Sequence, residues 1–386
     1  MLNVFTKTKP WIVASLLAAT SVFAQDNPGM NSAKCRPQRS FEQGKDMMQN
    51  QMMPAYNATA RIDVRGSWDF WIDGTFIYWE AMQENMELGI TVPNVGPLLA
   101  GSGAPINPGT VVDFCFSYKP GFKVGIGMNF DHDNWDASAE YTWFHSNTSA
   151  NANIPATGEI FPLRSHPALQ TTTNSGFTDV ANEHWNLKMD FLDVDLERCY
   201  YVGNKLSFRP FFGARGAWIR QNITHEYSTA STDGSGVPLR VDIISKKSAS
   251  WGIGPQVGLG TDWMLGYGLK LLGDASFDIL YTRYNTRYQE QLFSSVTSAV
   301  VNSIKVTQNH IDYLRPHIYG DLGIGWGSYF DNNNWHIDLL ATYNFQVFWN
   351  QNMFRQYTNN TAIANSFAPN GDLYVHGLDV VARFDF

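Results

Sequence analysis

The sequence predicts an all-β protein, an antiparallel transmembrane β-barrel of about ten strands with short periplasmic turns and long extracellular loops. Three observations predict it. From Gly66 to Phe386, apolar and polar residues alternate with period two, as on strands whose two faces meet different surroundings. The links between these runs are alternately short and long. The N-terminus has the form of an export signal, and no other window approaches the roughly 20 apolar residues of a membrane-spanning helix. Composition agrees: of 386 residues 14% are aromatic, only 16% are charged and 32 are glycine, a profile unlike that of an ordinary α/β enzyme. The net charge of −8 argues against nucleic-acid binding, which normally shows a basic face.

Taken in order, residues 1–24 read as a signal peptide: basic Lys7 and Lys9, an apolar stretch from Trp11 to Ala19, and the small-residue site Val22-Phe23-Ala24. Residues 25–65 are polar and Met-rich, a periplasmic leader or a lumen plug, with disorder as the alternative. The barrel occupies residues 66–386. Its first run places Trp68, Phe70, Ile72, Phe76 and Tyr78 on one face, and Asp69, Asp73 and Thr75 on the other with Trp71 and Trp79. The pattern returns at Val112–Phe130, Trp135–Trp143, Leu206–Trp218, Trp251–Trp263, Leu269–Tyr281, Leu314–Trp326, Trp335–Trp349 and Asp372–Phe386. Between His184 and Arg198 the phase slips: Trp185, Leu187 and Met189 lie on one parity, Leu192, Val194 and Leu196 on the other. A β-bulge near Asp190-Phe191 would absorb the slip.

Short links fall at Asp131–Asn134, Tyr200–Lys205, Leu265–Gly268 and Tyr329–Asn334. Long ones fall at Ala81–Thr110, Asn147–Glu183, Asn222–Lys247, Asn285–Asn309 and Asn350–Gly371. This alternation gives ten strands. Leu239, Val241 and Ile243 alternate with Arg240 and Asp242 inside one long link; they read as a strand extension above the membrane, with a twelve-stranded barrel as the alternative. Trp and Tyr gather at strand ends, as interfacial girdles do. The final run ends on Phe386, with Leu378, Val380, Ala382 and Phe384 on its face, resembling the terminal strand that barrel-assembly machinery reads.

The segments Trp68-Asp69-Phe70-Trp71-Ile72-Asp73-Gly74, Pro120-Gly121-Phe122-Lys123-Val124-Gly125, Trp135-Asp136 with Tyr141-Thr142-Trp143-Phe144, and Arg209-Pro210-Phe211-Phe212-Gly213 resemble the Legionella-type major outer-membrane protein family, also found in Chlamydia-like bacteria. The resemblance runs from about Arg65 to the end. It implies a pore-forming barrel in the cell outer membrane with no catalytic residues to carry over.

In such a barrel the polar phase lines the lumen. The candidates are Asp69, Asp73, Lys123, Asp136, Glu140, Arg209, Arg215, Asp262, Lys270, Asp274, Asp278, Arg315, Asp321 and Asp338, with Lys188, Asp193, Asp195 and Glu197 on the same phase. Opposed charges in a pore form a selectivity region, and the carboxylate excess favours cations. The expected function is porin-like diffusion of ions and small hydrophilic solutes. A ten-stranded lumen is narrow, so a non-conducting structural or adhesive barrel is the alternative. A barrel hydrolase, omptin-like or a phospholipase, is the third reading. It would need a rim pair such as Glu183-His184 or His310 with Asp312, and no motif surrounds either. No enzyme activity, metal or cofactor is expected. The expected partners are outer-membrane lipids, the assembly machinery, small solutes and ions, a further copy of the chain, or an envelope protein cross-linked through cysteine. Cys35 and Cys199 fall on the periplasmic side, while Cys115 falls nearer the outside, facing inward; an internal Cys35–Cys199 bridge is one pairing and free thiols are the other.

Overall fold

The computed structural model describes residues 60–65, 69–92, 109–130, 134–153, 159–166, 178, 180–228, 240–294, 299–357, 366–368 and 370–386. The chain divides into two compact units, Met1–Ala55 and Tyr56–Phe386, and every described residue lies in the second. The signal peptide, the leader before Ala60, Cys35 and Trp68 lie outside the described residues.

Ten long strands form a closed antiparallel ring. They are β1 (Phe70–Gln83), β2 (Lys119–Phe130), β3 (Trp135–Asn153), β4 (Val180–Arg198), β5 (Leu206–Ser228), β6 (Arg240–Gly266), β7 (Leu269–Ser294), β8 (Val300–Phe330), β9 (Trp335–Phe348) and β10 (Leu373–Asp385). Each pairs with its neighbour in sequence. The ring closes where β10 pairs with β1, from Trp71 opposite Asp385 to Gln83 opposite Leu373. Backbone bonds in both directions between Phe70 and Phe386 finish the seam. Over the span that all ten strands share, closure leaves no free sheet edge, the condition for strands to cross lipid.

The alternation sorts side chains as the sequence pattern requires. On β1, Ile72, Phe76 and Tyr78 are exposed on the outer wall, whereas Trp71, Thr75, Ile77 and Trp79 are buried inside. Ile126, Val194, Ile253, Val257, Leu322 and Ile324 continue the outer apolar band. Trp263, Tyr267, Trp326 and Trp335 border it at the short-turn end, and Tyr78, Trp218, Trp251 and Tyr281 at the long-loop end. From Trp251 to Trp263 the strand runs roughly 40 Å. A tilt of about 40° shortens this to roughly 30 Å, the thickness of a bilayer's hydrocarbon core.

Four expectations are corrected. No bulge interrupts β4, which pairs in continuous register with β3 and with β5. The apolar parity changes because the lumen changes chemistry: Trp185, Leu187 and Met189 point inward and are fully buried, while Leu192 and Val194 face outward, 42% and 51% exposed. Without the bulge Lys188 lies on the outer wall, exposed, and is not a lumen residue. The long link at Asn285–Asn309 is instead mostly hairpin, since β7 continues to Ser294 and β8 begins at Val300. The start of β6 at Arg240, by contrast, agrees with the expected strand extension in a ten-stranded ring, and the twelve-stranded alternative falls away. Finally, Val112 belongs to a small sheet of Gly89–Val92, Thr110–Val112 and Glu159–Pro162 rather than to the wall, and Phe114 is buried in the apolar core.

That core fills the long-loop half of the lumen. Inward residues of the wall, among them Ile77, Trp79, Phe144, Trp185, Leu187, Phe191, Ile219, Ile223 and Phe348, pack with Met86, Leu88, Phe114, Ile160 and Phe354 from the long connections. Burying a large apolar side chain contributes about 1.5–3 kcal/mol, so this packing is a major source of stability inside the ring.

Candidate functional site

The short-turn half of the lumen is polar. Two contiguous cavities lie there, of about 240 Å³ and 280 Å³, sharing Glu197, Arg209 and Arg383 in their walls. The deeper one is lined by eight carboxylates (Asp73, Glu140, Asp193, Asp195, Glu197, Asp274, Asp321, Asp379) and four cations (Lys123, Arg209, Arg215, Arg383). The other reaches the turns and the end of the leader, with Arg61, Ile62, Cys199, Tyr201 and Tyr329 in its lining.

The charges are organised by register. Arg215 on β5 holds Asp193 of β4 with two bonds of 2.6 and 2.9 Å, and its third nitrogen reaches Asp278 Oδ2 at 3.1 Å. His317 Nδ1 meets the same oxygen at 2.7 Å, and its ring stacks on Phe348 of the apolar half. Lys123 lies 3.3 Å from Asp379 and 3.8 Å from Glu140, beneath the Trp79 ring. Trp79 Nε1 donates to Asp379 at 2.5 Å, and Asn344 donates to the same carboxylate at 2.8 Å. Arg209 joins Glu197 at 3.5 Å to Asp274 at 3.0 Å. Glycine at 260 makes room for this pair, since a Cβ there would stand 2.3 Å from Asp274 Oδ1. Asp321 accepts from the Asp274 amide at 3.0 Å and from the Tyr319 hydroxyl at 2.6 Å. Nearer the turns, Lys270 lies between Asp338 at 3.2 Å and Asp262 at 3.7 Å. Asp136 accepts from Trp71 Nε1, and Arg383 and His336 meet on Asp385.

The structure thus brings together Asp73, Lys123, Asp136, Glu140, Arg209, Arg215, Asp262, Lys270, Asp274, Asp321 and Asp338, all in the cavity walls. Asp278 is buried behind Arg215. Two candidates lie elsewhere. Asp69 precedes β1, with φ of 56° and its carboxylate 3.9 Å from Arg61. Its place before the first strand, in a left-handed backbone conformation, puts it at the rim rather than on the lumen wall. Arg315 belongs to the apolar half, where it donates to the Tyr284 hydroxyl at 3.2 Å and to Met353 Sδ at 3.2 Å. Sequence reasoning missed Asp379, Arg383 and Tyr319; it places His317 on the polar phase with Arg315 and Asp321 without counting it among the candidates. The signal was present for Asp379 and Arg383, which alternate with the apolar Leu378, Val380 and Ala382 of the last strand.

Beyond the long-loop aromatic ring sits a second polar cluster. Ser165 donates to Asp242 at 2.6 Å and to Glu290 at 2.8 Å, and the His166 amide donates to Glu290. Arg164 binds Glu87 at 3.0 Å. His225 Nδ1 lies 2.9 Å from Glu183, both fully buried. Burial pushes the Glu183 and Glu290 carboxyls up to about 8 and the Lys246 amine down to about 7, and it holds His225 well below its ordinary value. The cluster clips residues 159–166 to the inner wall. Glu183 and His184 point to opposite sides of β4, so they form no rim pair; His184 instead meets Ser149 outside, at 2.9 Å. Asp312 is engaged by Arg283 at 2.7 Å. Cys115 is an exposed free thiol, contrary to the inward placement expected for it, and Cys199 is a free thiol on the cavity wall.

A closed antiparallel ring with an apolar outer band, aromatic borders and a charged interior defines an outer-membrane β-barrel. The chain belongs to the family of the Legionella pneumophila major outer membrane protein, whose family model, described as that protein's precursor, matches residues 63–386. It is therefore a protein of the cell outer membrane, and its short turns face the periplasm and its long loops the exterior. No curated protein matches the chain. Among solved structures, a Pseudomonas aeruginosa FadL homologue is similar at 7% identity and a TM-score of 0.29, over 82% of this chain and 90% of that one. The Pseudomonas putida toluene transporter TodX follows at 9% and 0.28, over 82% and 89%. Outer-membrane-expressed OmpT of Vibrio cholerae stands at 10% and 0.16, over 84% and 100%. Superpositions this loose carry no functional argument.

Proposed function

We propose that this barrel is a porin-like channel through which ions and small hydrophilic solutes diffuse, with a modest preference for cations and no catalytic role. The observation that carries the reading is the deeper cavity, where carboxylates outnumber cations two to one on a wall facing the periplasmic half of the lumen. Such a wall attracts cations and disfavours anions. The apolar half acts as the gate, because an apolar constriction stops ions by excluding water. Phe384 and Phe386 of the closing strand serve as the assembly signal, and outer-membrane lipids and the barrel-assembly machinery are the partners this role needs.

The apolar packing of the extracellular half also favours a second reading, a non-conducting structural or adhesive barrel. Planar bilayers separate the two. The purified protein should give discrete steps whose reversal potential in a KCl gradient lies on the cation side, and D274N/D321N should move it toward zero. Silence at high protein loading, or anion-preferring steps, would sink the channel reading.

A further inference from the structure

We propose that the outer wall of β4–β7, just beyond the extracellular aromatic ring, binds the phosphates of a phosphorylated glycolipid of the outer leaflet. Lys188 of β4 stands directly opposite Arg220 of β5, and Lys247 of β6 directly opposite Arg287 of β7. All four side chains are exposed on the outer face. Like charges directly opposed across strands destabilise a sheet, so a wall that carries two such pairs side by side is built to be neutralised from outside. The pairs are continuous: Arg220 faces Ala249, which makes Lys247 its diagonal neighbour. Arg287 faces Thr307 in the same way, and the exposed Lys305 extends the row.

Carboxylates on this wall compensate the row only in part, through Arg220. Asp190 takes one bond from Arg220 at 2.7 Å and is shared with the Tyr141 hydroxyl at 3.0 Å, and Asp312 is held by Arg283. The row is thus a cationic patch on a chain whose net charge is −8.

Position selects a lipid. Trp218 and Trp251 face each other across β5 and β6 at the border of the apolar band. Arg220 follows two residues beyond this border, so its head lies where lipid phosphates lie, while acyl chains would cover Trp218, Trp251 and Ile253 below. The two cation pairs are roughly 10–12 Å apart by strand spacing and rise, a separation that suits a disaccharide phosphorylated at both ends better than a single-phosphate glycerolipid. None of these residues lines either polar cavity, so the inference stands whether or not the channel conducts.

The test uses the full-length protein, purified free of lipid in a zwitterionic detergent, with an acylated bisphosphorylated diglucosamine as probe. The lipid should bind and raise the unfolding temperature, with at least tenfold weaker binding by K188Q/K247Q/R287Q and weaker binding by wild type in high salt. Without lipid the same variant should unfold at a temperature equal to or above the wild type, since repulsion is removed; with lipid the order should reverse. Equal binding by variant and wild type, or equal binding of phosphatidylglycerol micelles, would overturn the proposal. Should the variant not fold, wild type titrated with the dephosphorylated diglucosamine lipid decides: undiminished affinity would also overturn it.

Discussion

The two halves of the lumen share the same strands and treat buried charge in opposite ways. In the periplasmic half, carboxylates and cations interlock, so charge is retained and compensated, as in Asp193–Arg215–Asp278. In the extracellular half the wall is packed with Trp185, Leu187, Ile219 and Phe348, and the wall residues Glu290 and Lys246 around the clipped loop are driven toward neutrality by burial. One half is built to hold ions and the other to exclude them. The boundary is narrow: Arg215 lies 5.7 Å from the ring of Phe191, and Phe191 stacks on Phe348.

The contrast can be broken first at Arg215. Removing one member of a buried ion network leaves its partners uncompensated, at a cost of about 3–5 kcal/mol. Arg215→Met should therefore lower stability by that amount in chemical unfolding from detergent, whereas the isosteric D193N/R215M/D278N should recover much of the loss. An equal loss in both would show that packing, not charge, dominates the polar half.

The apolar half should respond to cavities instead. Trp185→Ala removes a fully buried ring and should cost about 3 kcal/mol, within the range for large-to-small core changes. Its stability should be independent of salt, unlike that of Arg215→Met.

A smaller effect concerns pH at the loop clip. Glu183 and Glu290 stay protonated in the fold up to about pH 8, while the unclipped chain ionises above about 4.5, so their contribution is full below pH 4.5 and lost as pH rises through 8. Lys246 acts in the opposite sense: its contribution is present above about pH 10.5 and lost as pH falls through 7. His225, held neutral, offsets one carboxyl below pH 6.5. Proteolysis of the 159–166 segment should consequently be fastest between pH 7 and 8 and slower at pH 5. The smallest change should come from Lys246→Met, which exchanges a buried amine without a hydrogen-bond partner for an apolar chain. We expect a gain of about 1 kcal/mol at pH 7, read as slower cleavage of the same segment.

Much of this was legible in the residues. Ring closure, strand number and the acidic lumen phase followed from alternation and link length, because each strand has one wet face in the membrane zone. The phase slip in β4 was visible too, yet its meaning was not. Period two says that two faces differ, not which side is lipid, so an apolar lumen at Trp185–Met189 looks the same as a bulge and sends Lys188 to the wrong side. The strand extensions at Ser294 and Val300 were hidden because beyond the bilayer the outer face of the wall meets water, while the buried Tyr288 and Leu292 on its inner face alternate with polar residues such as Glu290. Asp69 and Arg315 show the remaining limit: polar parity alone does not fix height along the barrel.

The central claim is that the periplasmic half sets selectivity and the extracellular half sets closure. Single-channel recording of the wild type, D274N/D321N and W185A/F348A tests it in one series. The account predicts that W185A/F348A spends several-fold more time open with unchanged cation preference, and that D274N/D321N loses cation preference with unchanged open time. Equal open times in W185A/F348A and wild type, or a selectivity change caused by the apolar substitutions alone, would contradict it.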